Sequence, residues 1–473
     1  MEALQRLHNR GSVSTGYDID NSLKVESDNR EYLRWTNFST YASSARKKKF
    51  SMSLWCKRTE ISSQQIIWST QSNGYLSFEA DDEIKWYQTY SGVQKQLNTN
   101  RVFRDTASWY NIIVAVDSTQ ATEANRMRLY VNGVEETSFV TATYPSQNDE
   151  AQNIYEQHLV LGEWGGGATG FNGYIADYLF VSEVQLVPTD VGEVDEDTGI
   201  WKPKAYSGTI STPSHFLEFQ DGSDLGTATS GLDADTMNNL TSADQATDTP
   251  TNNFAIGNVL VNYQAVAGGG QVLNEGATKF TNPSGQNWQS ITATLGLTAG
   301  KWYWEFRTNG TGAFIGIADA ADDIIAQNVN GYFLGYGDDN SSTTNSLGMY
   351  SVNGVIYNDA GSVAGASYAS SNTVGIALDM DNRKIHFAVD NTWAGSSDPA
   401  NNTNGATWNA AWTDTVLPAF SCAQANNVAV NYGGYTTISI SSAASDADGY
   451  GTFEYAPPSG YYALCTKNLE EYG

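Results

Sequence analysis

Two runs constrain the fold more than any other part of the chain. The first is Ser108-Trp109-Tyr110-Asn111-Ile112-Ile113-Val114-Ala115-Val116-Asp117, and the second is Met127-Arg128-Leu129-Tyr130-Val131-Asn132-Gly133-Val134. Both are rich in aromatic and β-branched side chains, which fit a pleated, half-buried surface. The second ends in Asn-Gly, a pair that accepts the positive φ angles of a tight hairpin. Together they predict two antiparallel strands in the middle of a β-sandwich.

A chain of 473 residues is long enough for two or three domains, each with its own core. Its 44 Gly, 27 Tyr and 13 Trp suit many short strands joined by tight turns. The 52 acidic against 25 basic residues give a net charge of −27. That balance excludes nucleic acid, which needs a basic face, and disfavours anionic membranes. No apolar run reaches spanning length, so membrane insertion is not expected. Cys56, Cys422 and Cys465 are far apart and odd in number, which leaves no disulfide framework or zinc spacing. Alternation puts Cys56 on the face of Phe50, Met52 and Leu54, as a small buried hydrophobe. Met1–Arg10 lacks the apolar stretch of a secretion signal, so folding in a reducing cytoplasm is expected.

The predicted fold class is all-β: two concanavalin-like antiparallel β-sandwich (jelly-roll) domains behind a short N-terminal arm. Residues 1–17 form the arm, with Leu4, Leu7 and His8 on one face of a helix too short to stand alone, and are the expected anchor. Residues 18–222 form the first sandwich. Its predicted strands are 50–56, 66–69, 75–78, 84–90, 109–117, 127–131, 159–162 and 174–181. Residues 223–258, rich in Asp, Thr, Ser, Asn and Gly, are expected to be a linker. Residues 259–473 form the second sandwich, with strands at 301–306, 313–318, 331–336, 347–350, 417–420 and 428–433. Its clearest hairpin joins Val374–Asp379 to Lys384–Val389, with Ile385, Phe387 and Val389 on one face. Trp302 and Trp304 share a strand face and are expected in the core.

The run "W-Y-N-I-I-V-A-V-D … L-Y-V-N-G" resembles the central strands of concanavalin-like, laminin-G-type jelly rolls. The second half resembles a SPRY-type sandwich through "K-W-Y-W-E-F" (301–306), "I-G-I-A" (315–318), "V-G-I-A-L-D-M-D-N-R-K-I-H-F" (374–387), "L-P-A-F" (417–420) and "V-A-V-N-Y-G" (428–433). The two halves, joined through "D-E-D-T-G-I-W-K-P-K-A-Y-S-G-T" and "D-T-P-T-N-N-F" (248–254) and closing on "P-P-S-G-Y-Y-A-L-C-T-K-N-L", resemble large structural proteins of tailed bacteriophages, particularly marine ones. That resemblance spans about residues 17–469 and implies a non-enzymatic virion protein. Such a protein, a tail fibre or appendage, would contact other virion proteins and bind host-surface glycan. It also implies a homo-oligomer, a trimer if a fibre. The alternatives are a polysaccharide depolymerase and a head decoration protein without a receptor role.

A jelly-roll hydrolase can carry its carboxylates on one strand as Glu-x-Asp-x-Glu or Glu-x-Asp-x-x-Glu. The nearest string, Glu193-Val194-Asp195-Glu196-Asp197, lacks the last Glu and reads as a solvated acidic turn. His8, His158, His215 and His386 are scattered, and no nucleophile elbow or zinc motif accompanies them. No metal site is expected, although calcium has candidate oxygens at Asp81-Asp82-Glu83 and Asp338-Asp339-Asn340. Arg46-Lys47-Lys48-Lys49 reads as a solvated strand lead-in. For glycan, the candidate loop is Gly162–Gly173, with Trp164 and Phe171 as aromatic platforms. The opposing reading packs Trp164 inward.

Overall fold

The computed structural model describes residues 16–70, 74–152, 154–155, 159–164, 169–260, 272–282, 288–310, 312–321, 333–335, 345–358, 361–413, 415–423 and 426–473. The expected helix in residues 1–10, with His8, lies outside these, as do His158, Asp338-Asp339-Asn340 and half of the predicted 331–336 strand. The described chain divides into two units between Asn252 and Asn253.

The first unit is a two-sheet sandwich. One sheet has nine strands. Along its path run Val134–Glu135, Met127–Val131, Tyr110–Asp117, Lys49–Arg58, Gly173–Ser182, Ser22–Val25 and Gln245–Ala246. His215–Leu217 and Ser230–Gly231 branch from Gly173–Ser182. The other has eight: Phe139–Thr143, Val93–Val102, Glu83–Tyr90, Gly74–Phe78, Gln65–Thr70, Leu159–Leu161, Tyr32–Trp35 and Thr236–Asn238. The two runs that opened the sequence argument pair antiparallel, Ile113 opposite Tyr130. Asn132 (φ 48°) and Gly133 (φ 77°) make the predicted turn. Gly133 is needed twice over, because a Cβ there would meet the Trp201 indole at 2.5 Å.

Alternation decides what enters the core. Phe50, Met52, Leu54 and Cys56 point in from one sheet, and Trp68, Leu76, Phe78 and Trp86 from the other. Burying each such ring or branched chain contributes about 1.5–3 kcal/mol. His215 is buried with them, stacked at 4.4 Å on Trp35 and 5.3 Å on Phe180. Burial pushes its imidazole down to about 3, so it stays neutral. The basic cluster is a short, paired lead-in. Arg46 meets Glu183, Lys48 meets Glu150 and Lys49 meets Asp117.

The stretch expected to be a linker behaves otherwise up to Asn252. Three short strands within 223–252 join the first unit's sheets. Polar contacts hold it. Asp235 accepts from the Thr36 amide and hydroxyl, and Asn238 and Asn239 donate to the Arg30 and Asn29 carbonyls. Asp244 pairs with the buried Lys24. Asp248 pairs with Lys57 at 2.8 Å, both essentially inaccessible, and accepts from the Trp109 indole. A search for apolar periodicity passes over such a segment, because buried charge and amide contacts anchor it.

The second unit is also a sandwich, of nine and six strands among the described residues. Lys301–Thr308 pairs with Val374–Asp379, and that strand with Lys384–Val389, in the predicted hairpin. The only parallel pairing among the described strands is Tyr462–Ala463 beside Lys301–Thr308. Trp302, Trp304, Ile385 and Phe387 lie in the core. Glu305, on the opposite face, is buried and accepts from the Tyr303 hydroxyl and the Glu454 and Tyr455 amides, which docks the C-terminal strap. All three cysteines are buried and none forms a disulfide. The chain is therefore all-β, built as two antiparallel sandwiches.

Replacing Asp248 with Ala removes the carboxylate facing a fully buried ammonium. Denaturant unfolding should show the first unit destabilised by about 3–5 kcal/mol. Replacing Lys57 with Met in the same chain should recover most of that loss, whereas a true linker would show neither effect.

Candidate functional site

The eight-stranded sheet of the first unit turns a patterned face away from the core. Its register lines up Thr143, Gln96, Tyr87, Tyr75, Ser69, Val160, Arg34 and Thr236 as successive cross-strand neighbours. From Gln96 to Arg34 each lies one position off a core residue, so period-two alternation sets them on the side of the sheet away from the core. Gln96, Tyr75 and Arg34 keep part of their surface exposed there, whereas Tyr87, Ser69 and Val160 are buried. Tyr75 and Tyr87 have ring centroids 4.9 Å apart, and the Lys85 ammonium lies 5.6 Å from the Tyr75 ring. The Arg34 guanidinium covers Tyr32 at 4.6 Å.

Trp164 joins this face from the end of the Leu159–Leu161 strand. Its amide donates to the Thr169 carbonyl, and its ring meets the Tyr75 ring edge-on at 5.2 Å. It is half-buried and is not packed into the core. Beside it Glu163 is 2% exposed. Arg30 grips Glu163 Oε1 through Nε and Nη2 at 3.1 and 3.0 Å, and Oε2 is without a hydrogen-bond partner. Burial raises the Glu163 carboxyl and the two guanidiniums of Arg30 and Arg34 pull it back. The face therefore offers aromatic edges, amide and hydroxyl groups, two cationic side chains and one buried acceptor. Such a set can stack on apolar sugar faces and hydrogen-bond their hydroxyls.

Phe171 does not belong to it. Its ring is fully buried, stacks on Phe78 at 6.3 Å and forms part of the first unit's core. The Phe171 amide closes on the Gly162 carbonyl, and Gly170 bridges to Glu163, which turns the phenyl inward. The platform reading of Phe171 is corrected accordingly. Residues 165–168 of the same loop lie outside the described residues.

The other candidates resolve into structure. Asp195 caps a turn, accepting from the Thr198 amide and hydroxyl at 2.9 Å, and meets Lys202 at 3.2 Å. The Thr198 hydrogen bonds hold its carboxyl down at about 2. Glu193 also faces Lys202, in the hairpin of Gly192–Val194 with Trp201–Pro203. Asp82, central to one calcium candidate, is buried between the guanidiniums of Arg58 (3.1 Å) and Arg104 (2.7 Å) and accepts from the Ser62 amide. Two positive charges already fill the place a cation would need. Among the described residues no three His, Cys, Asp or Glu side chains converge as metal ligands.

A second aromatic surface, missed in the sequence, lies on the six-stranded sheet of the second unit. Phe314 stacks on Tyr350 at 4.5 Å and on Phe333 at 4.6 Å, with Trp288 at 5.1 Å. Only Phe314 is fully buried. Phe314 alternates with the core residues Ala313 and Ile315, a signal the run Ala313–Ala318 carried but its near-continuous apolarity obscured.

Comparison with known families agrees with this geometry. Residues 28–190 match the concanavalin A-like lectin/glucanases superfamily, in its laminin-G form, and residues 301–435 match the SPRY domain. The chain thus carries one domain of each kind. No curated protein matches it. Among solved structures, the SPRY domain of human HERC1 is 16% identical, covering 34% of this chain and 91% of its own, at a TM-score of 0.25. A heptameric SAP-like pentraxin from Limulus polyphemus is 13% identical over 36% and 80% of the two chains, at 0.27. A putative carbohydrate binding protein from Bacteroides ovatus is 12% identical over 41% and 54%, at 0.27.

Phe171→Ala should lower the stability of the first unit by about 3–5 kcal/mol, as for other buried phenyl rings. Trp164→Ala should cost under about 1.5 kcal/mol, because its ring lies on the sheet's outer face and is already partly exposed. Thermal unfolding of the two variants separates core from surface.

Proposed function

We propose that this chain is a non-enzymatic virion structural protein of a tailed phage, a tail fibre or appendage, whose first unit binds host-surface glycan. The observation that carries the binding half is the set of partly exposed side chains Gln96, Tyr75 and Arg34 on one sheet face, with Trp164 set against Tyr75 and Tyr87 backing it. Rings and polar groups share one rigid sheet face, so little ordering entropy is lost when a flat sugar docks. The concanavalin-like and SPRY matches supply two folds whose sheets and end loops serve as recognition surfaces. The aromatic surface around Phe314 gives the second unit its own contact area, suited to another virion protein.

The virion assignment rests on the resemblance of the joined halves to phage structural proteins. The non-enzymatic reading is supported by the acidic string at 193–197, where Asp195 is tied into the turn and Glu193 faces Lys202. Partners follow as other virion proteins and further copies of the chain, and the place of action as the particle.

The test is an array of host capsule and exopolysaccharide fragments probed with the intact protein. Specific binding is expected, with Tyr75→Ala and Trp164→Ala each weakening it tenfold or more while the unfolding profile changes little. No new reducing ends should appear on incubation. Binding unaffected by both substitutions would remove the sheet face from the account, and chain cleavage would restore the depolymerase reading.

A further inference from the structure

The other sheet of the first unit carries a feature that packing does not require. Ala176 pairs with Trp55 and Leu179 with Ser53, so Asp177 and Tyr178 both stand opposite the single residue Leu54. This is a β-bulge, a device that re-aims a side chain. Tyr178 goes into the core, and Asp177 adopts φ 45° and joins the outer face. A left-handed backbone at a non-glycine residue is a strained choice that is retained where the surroundings impose it.

Asp177 lies in a small, partly open cleft of about 10 Å³, room for one water-sized group such as an ammonium head, lined also by Trp55, Tyr206 and Phe216. The residue is 9% exposed. Its Oδ2 accepts from the Tyr17 hydroxyl at 2.9 Å, while Oδ1 is buried with no hydrogen-bond partner. The same hydroxyl lies 3.3 Å from Glu218 Oε1. One phenol has one proton to give, so it cannot satisfy both carboxyls at once. Lys204 also lines the cleft, but its ammonium donates to the Thr189 carbonyl. The cleft therefore combines one buried, unpartnered acceptor oxygen with aromatic walls.

We propose that this cleft binds the primary ammonium group of a small organic cation such as an amino sugar, with Asp177 as counter-ion and Trp55, Tyr206 and Phe216 as its aromatic walls. An ammonium supplies three donors and one positive charge, and it is attracted to ring faces. A divalent metal ion would need a fuller oxygen shell than two carboxyls and a phenol beside three rings provide. The site goes beyond the glycan face of the eight-stranded sheet and shares no residue with it.

Burial, against which the Tyr17 hydrogen bond works and with which the charge on Glu218 adds, holds the Asp177 carboxyl up at about 8. Tyr17, Glu218, Lys204 and Tyr206 are the titratable groups that face it. Near neutrality the free cleft is protonated, and binding an ammonium must expel that proton. Affinity for an amine that stays charged should therefore rise as pH approaches about 8 from below, with proton release on binding.

The experiment is calorimetric titration of the intact protein with methylammonium, glucosamine and N-acetylglucosamine, repeated with Asp177→Asn and Tyr75→Ala. The two amines should bind and N-acetylglucosamine should not. Asp177→Asn should weaken amine binding at least tenfold, and Tyr75→Ala should leave it unchanged, which keeps this proposal separable from the glycan face. Asn tolerates the left-handed backbone, so the variant should fold, as its unfolding midpoint will report. If glucosamine binds more tightly than methylammonium the cleft reads the sugar as well as the charge, and equal binding means it reads the ammonium alone; both support the site. Amine binding equal in wild type and Asp177→Asn, equal binding of N-acetylglucosamine, or no amine binding by the folded protein would each overturn it.

Discussion

The antiparallel pairing of Lys49–Arg58 with Gly173–Ser182 sets which side chains of the first unit enter its core and which are left outside. Cys56 opposite Ile175 and Met52 opposite Phe180 point in. Their neighbours point out, and the register propagates through each adjacent strand. A one-residue slip would exchange every inner and outer residue, so the buried phenyl and indole rings hold the register fixed. The outward faces are therefore as well defined as the core, and that definition makes them usable as binding surfaces.

The same pairing contains its own exception at Asp177, where alternation breaks and a carboxyl is placed on the outer face. The eight-stranded sheet departs in a milder way, by leaving rings on the side that faces solvent. Aromatic burial explains Trp68 and Trp86, which lie fully inside. It does not explain Tyr75 and Trp164, which stay partly exposed at some hydrophobic cost. The two sheets thus offer different chemistry: stacking edges with cationic side chains on one, and a buried carboxyl in a ring-walled cleft on the other.

Much of this was legible from residue order. Strands such as Tyr110–Asp117 and Met127–Val131 announced themselves, because both β-branched content and the Asn-Gly turn pointed the same way. Cys56, Trp302 and Trp304 followed from alternation alone. Val93–Val102 did not, since its inward Leu97 is flanked by Gln, Lys and Asn, and its edge-side position demands little apolar surface. The 223–252 segment was misread for a related reason. Lys24–Asp244 and Lys57–Asp248 are buried ion pairs between residues some two hundred positions apart, and no local pattern records them. Phe171 looked like a loop aromatic because its glycine-rich neighbours resemble a loop, whereas the bridge from Gly170 to Glu163 turns it inward. The candidate face itself was visible only as Trp164. Its partners Tyr75, Tyr87 and Arg34 come from three other strands, and register alone brings them together.

The central claim is that the outward row on the eight-stranded sheet holds glycan. It is tested most directly by following tryptophan indole resonances in the intact protein during titration with host polysaccharide, with Trp164 assigned by its replacement with Phe. The account predicts a saturable shift of the Trp164 signal while those of the buried Trp68 and Trp86 stay in place. Polysaccharide that binds without moving Trp164 would contradict it.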